Sequence, residues 1–322
     1  MFIDINRSLE KYLPKIQIAK PKNEVDYYGF SKYLAEHFRY KNYKYSFSSW
    51  VHGVNFGDFS LHKFNIAQYS PLYKIVANND QKKFLNDNRF NKVIVAGYPY
   101  IYIKKNYNIK RYSKSLLVMP PHNTDFTENN YNEQKFINYI LKFRKYFKVI
   151  YFCIHQKCYQ KGLWIKNLNK YDIDFVIGAN QNDMNSLLRM KYIFQHFDYV
   201  HSSTIGSAIF YAAFEQCKIS ISNEYLNYEL NAHKKHPLFK KDKVFIKNEL
   251  YFQSKSFVKK KYPFLFNEPQ KGTQKVNWAK KELGYENKLP IEELPKILGW
   301  KTRDIPYLYL KKYLNFISRK LF

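Results

Sequence analysis

The residues best suited to chemistry come as short polar clusters, each placed after a run of apolar residues. His122, Asn123 and Thr124 follow Leu116-Leu-Val-Met-Pro-Pro. His155 and Gln156 follow Val149-Ile-Tyr-Phe-Cys-Ile. His201, Ser202, Ser203 and Thr204 follow Tyr199-Val200 and lead through Gly206 and Ser207 into a small, apolar segment that ends at Phe214. Hydroxyl groups ahead of a helix N-terminus, with its free N–H groups and dipole, make a ready anion site, suited to phosphate. The plainer reading of the same loop is an ordinary helix cap, and of each histidine a solvated or hydrogen-bonded structural residue. A fourth cluster joins His52 and Gly53 to Asp58 in one loop. An imidazole there offers a base, and the glycine after it lets backbone and ring come close to a ligand. His52 is the expected base and Asp58 the runner-up; the alternative is that Gly53 only makes the turn.

The elements that must position these clusters follow from apolar periodicity. Tyr28, Phe30, Tyr33, Leu34 and Phe38 predict a helix within 25–40. Residues 45–51, 72–77 and 92–97 read as strands, with Asn78, Asn79 and Asp80 capping a helix over 81–88. Further strands are predicted over 115–119, 148–154, 174–178 and 218–221, and helices over 133–147, 183–195 and 206–214. Alternation of this kind implies parallel sheets. In such sheets ligands bind at the carboxyl ends of the strands, which is where the clusters fall. The expected fold is α/β, with two Rossmann-like domains facing each other across a cleft. The polar, basic stretch 104–114 marks the boundary between domains over 1–110 and 111–290. Residues 223–290 read as lysine-rich and irregular, apart from a short helix at 278–283. The remainder, 291–322, holds a basic amphipathic helix with Leu310, Leu314, Ile317 and Leu321 on one face. That face suits packing across the domains and lying on an anionic membrane equally well.

Composition narrows the partners. The chain has 322 residues and a net charge of +28, a field that attracts nucleic acid, anionic membranes and phosphorylated ligands alike. Lysines spread along the sequence, without zinc-finger spacing, an aromatic RNA-binding signature or a clustered basic arm, argue against nucleic acid. The 31 Tyr and 27 Phe fit a coding sequence biased toward A and T, so neither they nor the lysines are by themselves signs of function. Three cysteines, Cys153, Cys158 and Cys217, give no disulfide framework, which suits a reducing cytoplasm. No run reaches the ~20 apolar residues of a membrane span. Dinucleotide-binding, Walker and nucleophile-elbow motifs are absent. No paired aspartates sit in a central loop to hold a divalent ion.

The order of these features resembles the two-Rossmann-domain glycosyltransferases called GT-B, and more narrowly bacterial enzymes of capsule, O-antigen or lipooligosaccharide assembly. The resemblance is carried by Trp50-Val-His-Gly53, Val95-Ala-Gly-Tyr-Pro-Tyr-Ile-Tyr102, Leu116-Leu-Val-Met-Pro-Pro-His-Asn-Thr124 and His201-Ser-Ser-Thr-Ile-Gly-Ser207, over about residues 45–222. It implies a nucleotide-sugar donor bound in the second domain. His122, Asn123 and Thr124 would touch the donor, and His155 and Gln156 would flank its base or phosphate. Ser202, Ser203, Thr204, Gly206 and Ser207 would bind the phosphate. The glutamate pair that retaining enzymes carry on the donor helix is absent; Glu215, near the helix end, is the only carboxylate there to contact the donor, at its ribose. The acceptor, a glycan or lipid-linked glycan, would bind near His52 and Gly53. A metal-independent enzyme is implied, with no cofactor beyond the nucleotide sugar, working in the cytoplasm or at the inner membrane face. A CMP-linked acidic sugar is one candidate donor, its carboxylate offset by histidines and lysines. The competing readings are a nucleic-acid-binding protein, and a nucleotide-sugar epimerase or pyruvyl transferase.

Overall fold

The computed structural model describes residues 9–42, 44–64, 72–124, 127–128, 132–301 and 307–310. The chain is an α/β protein with two sheets, of three and six strands, in two compact units. The smaller unit comprises Ile16–Lys104, Gln181–Leu188 and Lys280–Phe322. The larger comprises Met1–Lys15, Lys105–Asn180 and Arg189–Ala279.

In the smaller unit, α1 (Phe30–His37) precedes β1 (Ser49–Trp50), β2 (Lys74–Val76), α2 (Asn79–Asp87) and β3 (Val93–Val95). The strands pair in parallel in the order β1-β2-β3. Asn78 caps α2, its side chain accepting from the Gln81 N–H at 3.0 Å. Trp50 anchors the core, edge-on to Phe30 at 5.1 Å and donating from Nε1 to the Gly97 carbonyl at 2.8 Å. The strand expected over 45–51 is short for a definite reason. The Phe47 N–H bonds the Leu298 carbonyl at 2.9 Å, and the Ser48 hydroxyl bonds that of Ile297 at 2.6 Å. The chain ahead of β1 is therefore tied to a later segment of the same unit. Gly97 has φ +71, and a Cβ there would lie 2.7 Å from the Gly284 carbonyl oxygen, so this turn requires glycine.

In the larger unit the elements run β4 (Tyr112–Met119), α3 (Glu133–Leu141), β5 (Val149–Ile154), α4 (Gln156–Gln160), α5 (Ile165–Lys170) and β6 (Asp174–Ile177). They continue with α6 (Ser186–His196), whose residues from Arg189 belong to this unit, then β7 (Phe197–Ser202), α7 (Ser207–Phe214) and β8 (Lys218–Ile221). Next come α8 (Lys243–Phe252), α9 (Lys255–Lys261) and β9 (Thr273–Gln274). The sheet order is β6-β5-β4-β7-β8-β9, parallel throughout except for β9. Strand alternation turns Leu116, Val118, Phe152 and Ile154 toward one face, where Ile137, Ile140 and Leu168 of α3 and α5 cover them. The helix predicted to reach residue 147 stops at Leu141 and gives way to a 3-10 turn over Arg144–Tyr146. Breaking there lets both Phe143 and Phe147 enter the same core.

The region read as irregular contains α8 and α9, capped by Asp242 and Ser254. The C-terminal helix expected to 322 lies outside the described residues, except for 307–310. Among the described residues no helix is long and apolar enough to cross a membrane.

Candidate functional site

The topology of the larger sheet singles out one location. From β4 the chain steps to β5 and β6 on one side, then returns to β7 and β8 on the other. The winding reverses between β4 and β7, and at such a switch point the loops leave the sheet in opposite directions and open a crevice at the strands' carboxyl ends. The two loops concerned are Pro120–Thr124 and Ser203–Gly206.

The hydroxyls of the second loop differ in what they bond: that of Ser203 donates to the Met119 carbonyl at 3.4 Å, and that of Thr204 is buried without a hydrogen bond. Ser202 ends β7 and donates from Oγ to the Thr204 carbonyl at 2.7 Å, which folds the turn on itself. The Ser203 N–H continues the ladder to the Met119 carbonyl at 3.1 Å. The Ile205 N–H donates to the Tyr225 hydroxyl at 3.2 Å, and that hydroxyl donates to the Gln253 carbonyl at 2.6 Å. None of these side chains caps α7. The cap position is Gly206, in extended backbone and without a side-chain hydrogen bond. A Cβ on Gly206 would meet nothing within 4 Å, so the start of α7 opens onto free space. The plain capping role is therefore not what this loop performs.

A cavity of about 630 Å³ opens beside the loop. Pro121 and Ser203 reach it from the switch point, Asn138 and Tyr139 from α3, and Glu224 and Tyr225 from the chain after β8. Lys135 and Glu224 form an ion pair at its edge, 3.3 Å apart. Amide, hydroxyl and aromatic groups around a space of this size suit a mononucleotide-sized ligand. The α3 residues were missed by sequence reasoning because they lie on a helix face rather than at a strand end. Tyr225 had a usable signal, since it follows β8 as the other clusters follow their strands.

The histidines differ from their expected role. His201 is not in a loop: it lies within β7, opposite Val118 and Ser220, and is completely buried. Its Nδ1 lies 2.8 Å from the Ser220 hydroxyl and its ring stacks on Tyr139. Burial drives its pKa down to about 3. His122 and His155 do meet, their rings stacked at 4.8 Å and 16°. Burial lowers His122 to about 4, and burial together with the neighbouring His122 lowers His155 to about 3. All three imidazoles are thus neutral at physiological pH, and the expected offset of a donor carboxylate by histidine charge is not available. They retain hydrogen-bonding capacity only. His155 also caps α4, Nδ1 accepting from the Lys157 N–H at 3.2 Å, which leaves its proton on Nε2.

Asn123, Thr124 and Gln156 gather at the same strand ends. The Asn123 N–H donates to Cys158 Sγ at 3.2 Å, and the Thr124 and Thr127 hydroxyls bond at 2.7 Å. Gln156 is buried with its Oε1 unpartnered. Glu215 is not part of the site. It sits at the far end of α7 from Ser207, buried, with Oε1 2.7 Å from Lys191 Nζ and its backbone carbonyl bonded by Arg111. Its place in the fold is that of a buried ion pair, so it cannot supply a ribose contact at the loop.

His52 and Asp58 belong to the smaller unit. His52 follows β1 and is enclosed by Tyr27, edge-on at 4.5 Å, and Tyr28 at 6.0 Å. Its Nδ1 is buried and unpartnered. Burial, then the positive charge of Lys74, lowers its pKa to about 4. Lys74 is itself buried against Glu24 at 2.6 Å. Asp58 is exposed, and its backbone carbonyl accepts from Lys63 Nζ at 2.8 Å. Of the two, His52 is the enclosed one, with a ring nitrogen left unbonded. Among the described residues, no three histidine, cysteine or acidic side chains come together to hold a metal ion. No family model matches this chain, and no curated protein matches it significantly.

Proposed function

We propose that the protein is a glycosyltransferase that moves a sugar from a nucleotide-activated donor to a bacterial surface glycan, on a GT-B-like pair of domains. The observation that carries this reading is the open, uncapped start of α7 at the β4–β7 switch point, where Ser203 of the preceding loop also lines a cavity. The helix N-terminus and the Ser203 hydroxyl would hold the donor phosphate, and the adjoining cavity the rest of the nucleotide. Charge building up on the departing phosphate would then meet fixed N–H dipoles that need no reorganisation during the reaction. Metal independence follows if those dipoles and nearby lysines such as Lys135 supply the positive field.

His122, His155, Asn123 and Gln156 would recognise polar atoms of the donor as neutral partners. His52 would contact an acceptor hydroxyl as an uncharged imidazole able to accept its proton. The enzyme would work in the cytoplasm, at the inner face of the membrane. A melting-temperature panel with UDP, GDP, CMP and their sugars tests the reading, because a ligand that binds only the folded state must raise the melting temperature. A rise with one nucleotide class is expected; no rise with any of them, at saturating concentrations, contradicts it.

A further inference from the structure

Positive charge is not spread evenly over the molecule, contrary to the impression given by the sequence as a whole. Residues 234–261 hold ten lysines and no arginine, against two carboxylates, Asp242 and Glu249. Nine of those lysines are exposed. One carboxylate is already engaged, since Asp242 accepts from the Phe245 N–H at 2.9 Å to cap α8. Lys240, Lys241, Lys243 and Lys247 make no ion pair among the described residues.

The α8–α9 pair keeps its own apolar side inward. Ile246 and Val258 are buried, and the Phe252 and Phe257 rings meet edge to face at 5.0 Å. What α8 exposes is Lys243, Val244, Lys247, Asn248 and Tyr251. That spacing forms one continuous stripe of helix surface. Val244 is 68% exposed and Tyr251 57%, so an aliphatic and an aromatic residue stand among unpaired cations.

We infer that this α8–α9 surface docks the protein on an anionic lipid bilayer. Lysines hold their charge at the headgroup level, while an exposed valine and an amphipathic tyrosine on the same face enter the interfacial layer. A nucleic acid would use the charge but not the valine. It would also favour arginine forks and open ring faces, whereas the segment has no arginine and Tyr251 is already in ring contact with Phe252 and Phe257. The inference gives a location to the membrane association in the proposed function and does not rest on the nucleotide reading.

The test is flotation of the full-length protein with phosphatidylcholine vesicles, with and without phosphatidylglycerol, at low and high salt. Binding is expected only to the anionic vesicles, weakened by salt. Replacing Lys240, Lys241, Lys243 and Lys247 by Gln should lower vesicle affinity by roughly several hundredfold, at about fivefold per lysine, with the melting temperature unchanged. A Val244→Ser/Tyr251→Ser variant should lose a smaller, less salt-sensitive part. Nucleotide-induced melting shifts, recorded on the same samples, should be the same in all variants, which separates this inference from the donor site. Wild-type affinity in the folded four-lysine variant, or no wild-type binding to anionic vesicles, overturns it. So does tighter binding to an oligonucleotide than to vesicles, if the lysine substitutions abolish it.

Discussion

The two ends of α7 carry comparable sequence signals and opposite physical situations. At the N-terminal end, Gly206 leaves the helix without a side-chain cap and faces open space. At the C-terminal end, Glu215 is buried against Lys191, and its carbonyl is bonded by Arg111. Sequence reasoning assigns both Gly206 and Glu215 to the donor. The structure separates them, with Glu215 in a buried ion pair and Gly206 facing open space. A buried charge held by an ion pair inside the fold stabilises it, and groups left open at a crevice are available to a ligand.

The largest expected effect breaks the closed end. Glu215→Ala removes the carboxylate paired with the buried Lys191 and should cost about 3–5 kcal/mol of stability, read by denaturant unfolding. Donor affinity, measured where the variant is still folded, should be unaffected. A large affinity loss at full folding would return Glu215 to the site. At the open end, Ser203→Ala should weaken nucleotide binding about three- to tenfold, the net worth of one hydrogen bond, and change stability little. Calorimetric titration would show it, and unchanged affinity would make Ser203 a bystander.

The buried histidines predict a pH signature with a definite sign. Their folded pKa values of about 3 to 4 lie below the ordinary 6.5, so the unfolded chain binds more protons between those limits. Their contribution to stability is complete above about pH 6.5 and is lost as the pH falls toward 4 and 3. Melting temperatures across that window should decline steadily on acidification. Nucleotide affinity should show no histidine inflection between about pH 6 and 8. An inflection there would mean that one imidazole is protonated at the site. The smallest effect is expected from Asp58→Asn, whose exposed side chain should leave both stability and turnover nearly unchanged, in contrast to His52→Ala.

Much of the α/β framework was legible because strands such as Val149–Ile154 are unbroken apolar runs, and because Asn78 marks its helix start by type alone. The end of β7 was harder. His201 and Ser202 look like loop residues, and only the neighbouring strand's Ser220, 19 positions away, supplies the buried partner that lets the strand continue through them. The same distance problem hid the role of Glu215, whose partner Lys191 lies 24 residues earlier. Tyr139 and Asn138 reach the cavity from a helix whose placement is set by the far side of the sheet core. The α8–α9 pair was obscured because lysines outnumber the few residues, Ile246 and Val258, that it buries.

The most direct measurement of the central claim is a nucleotide titration of wild type beside Gly206→Asp. The position has extended backbone and room for a side chain, so aspartate fits without strain and caps α7. The expected result is a melting temperature equal to or slightly above wild type, with nucleotide affinity reduced at least about tenfold, because the carboxylate occupies and repels the phosphate position. Equal affinity in the two proteins would show that the start of α7 does not hold the donor phosphate.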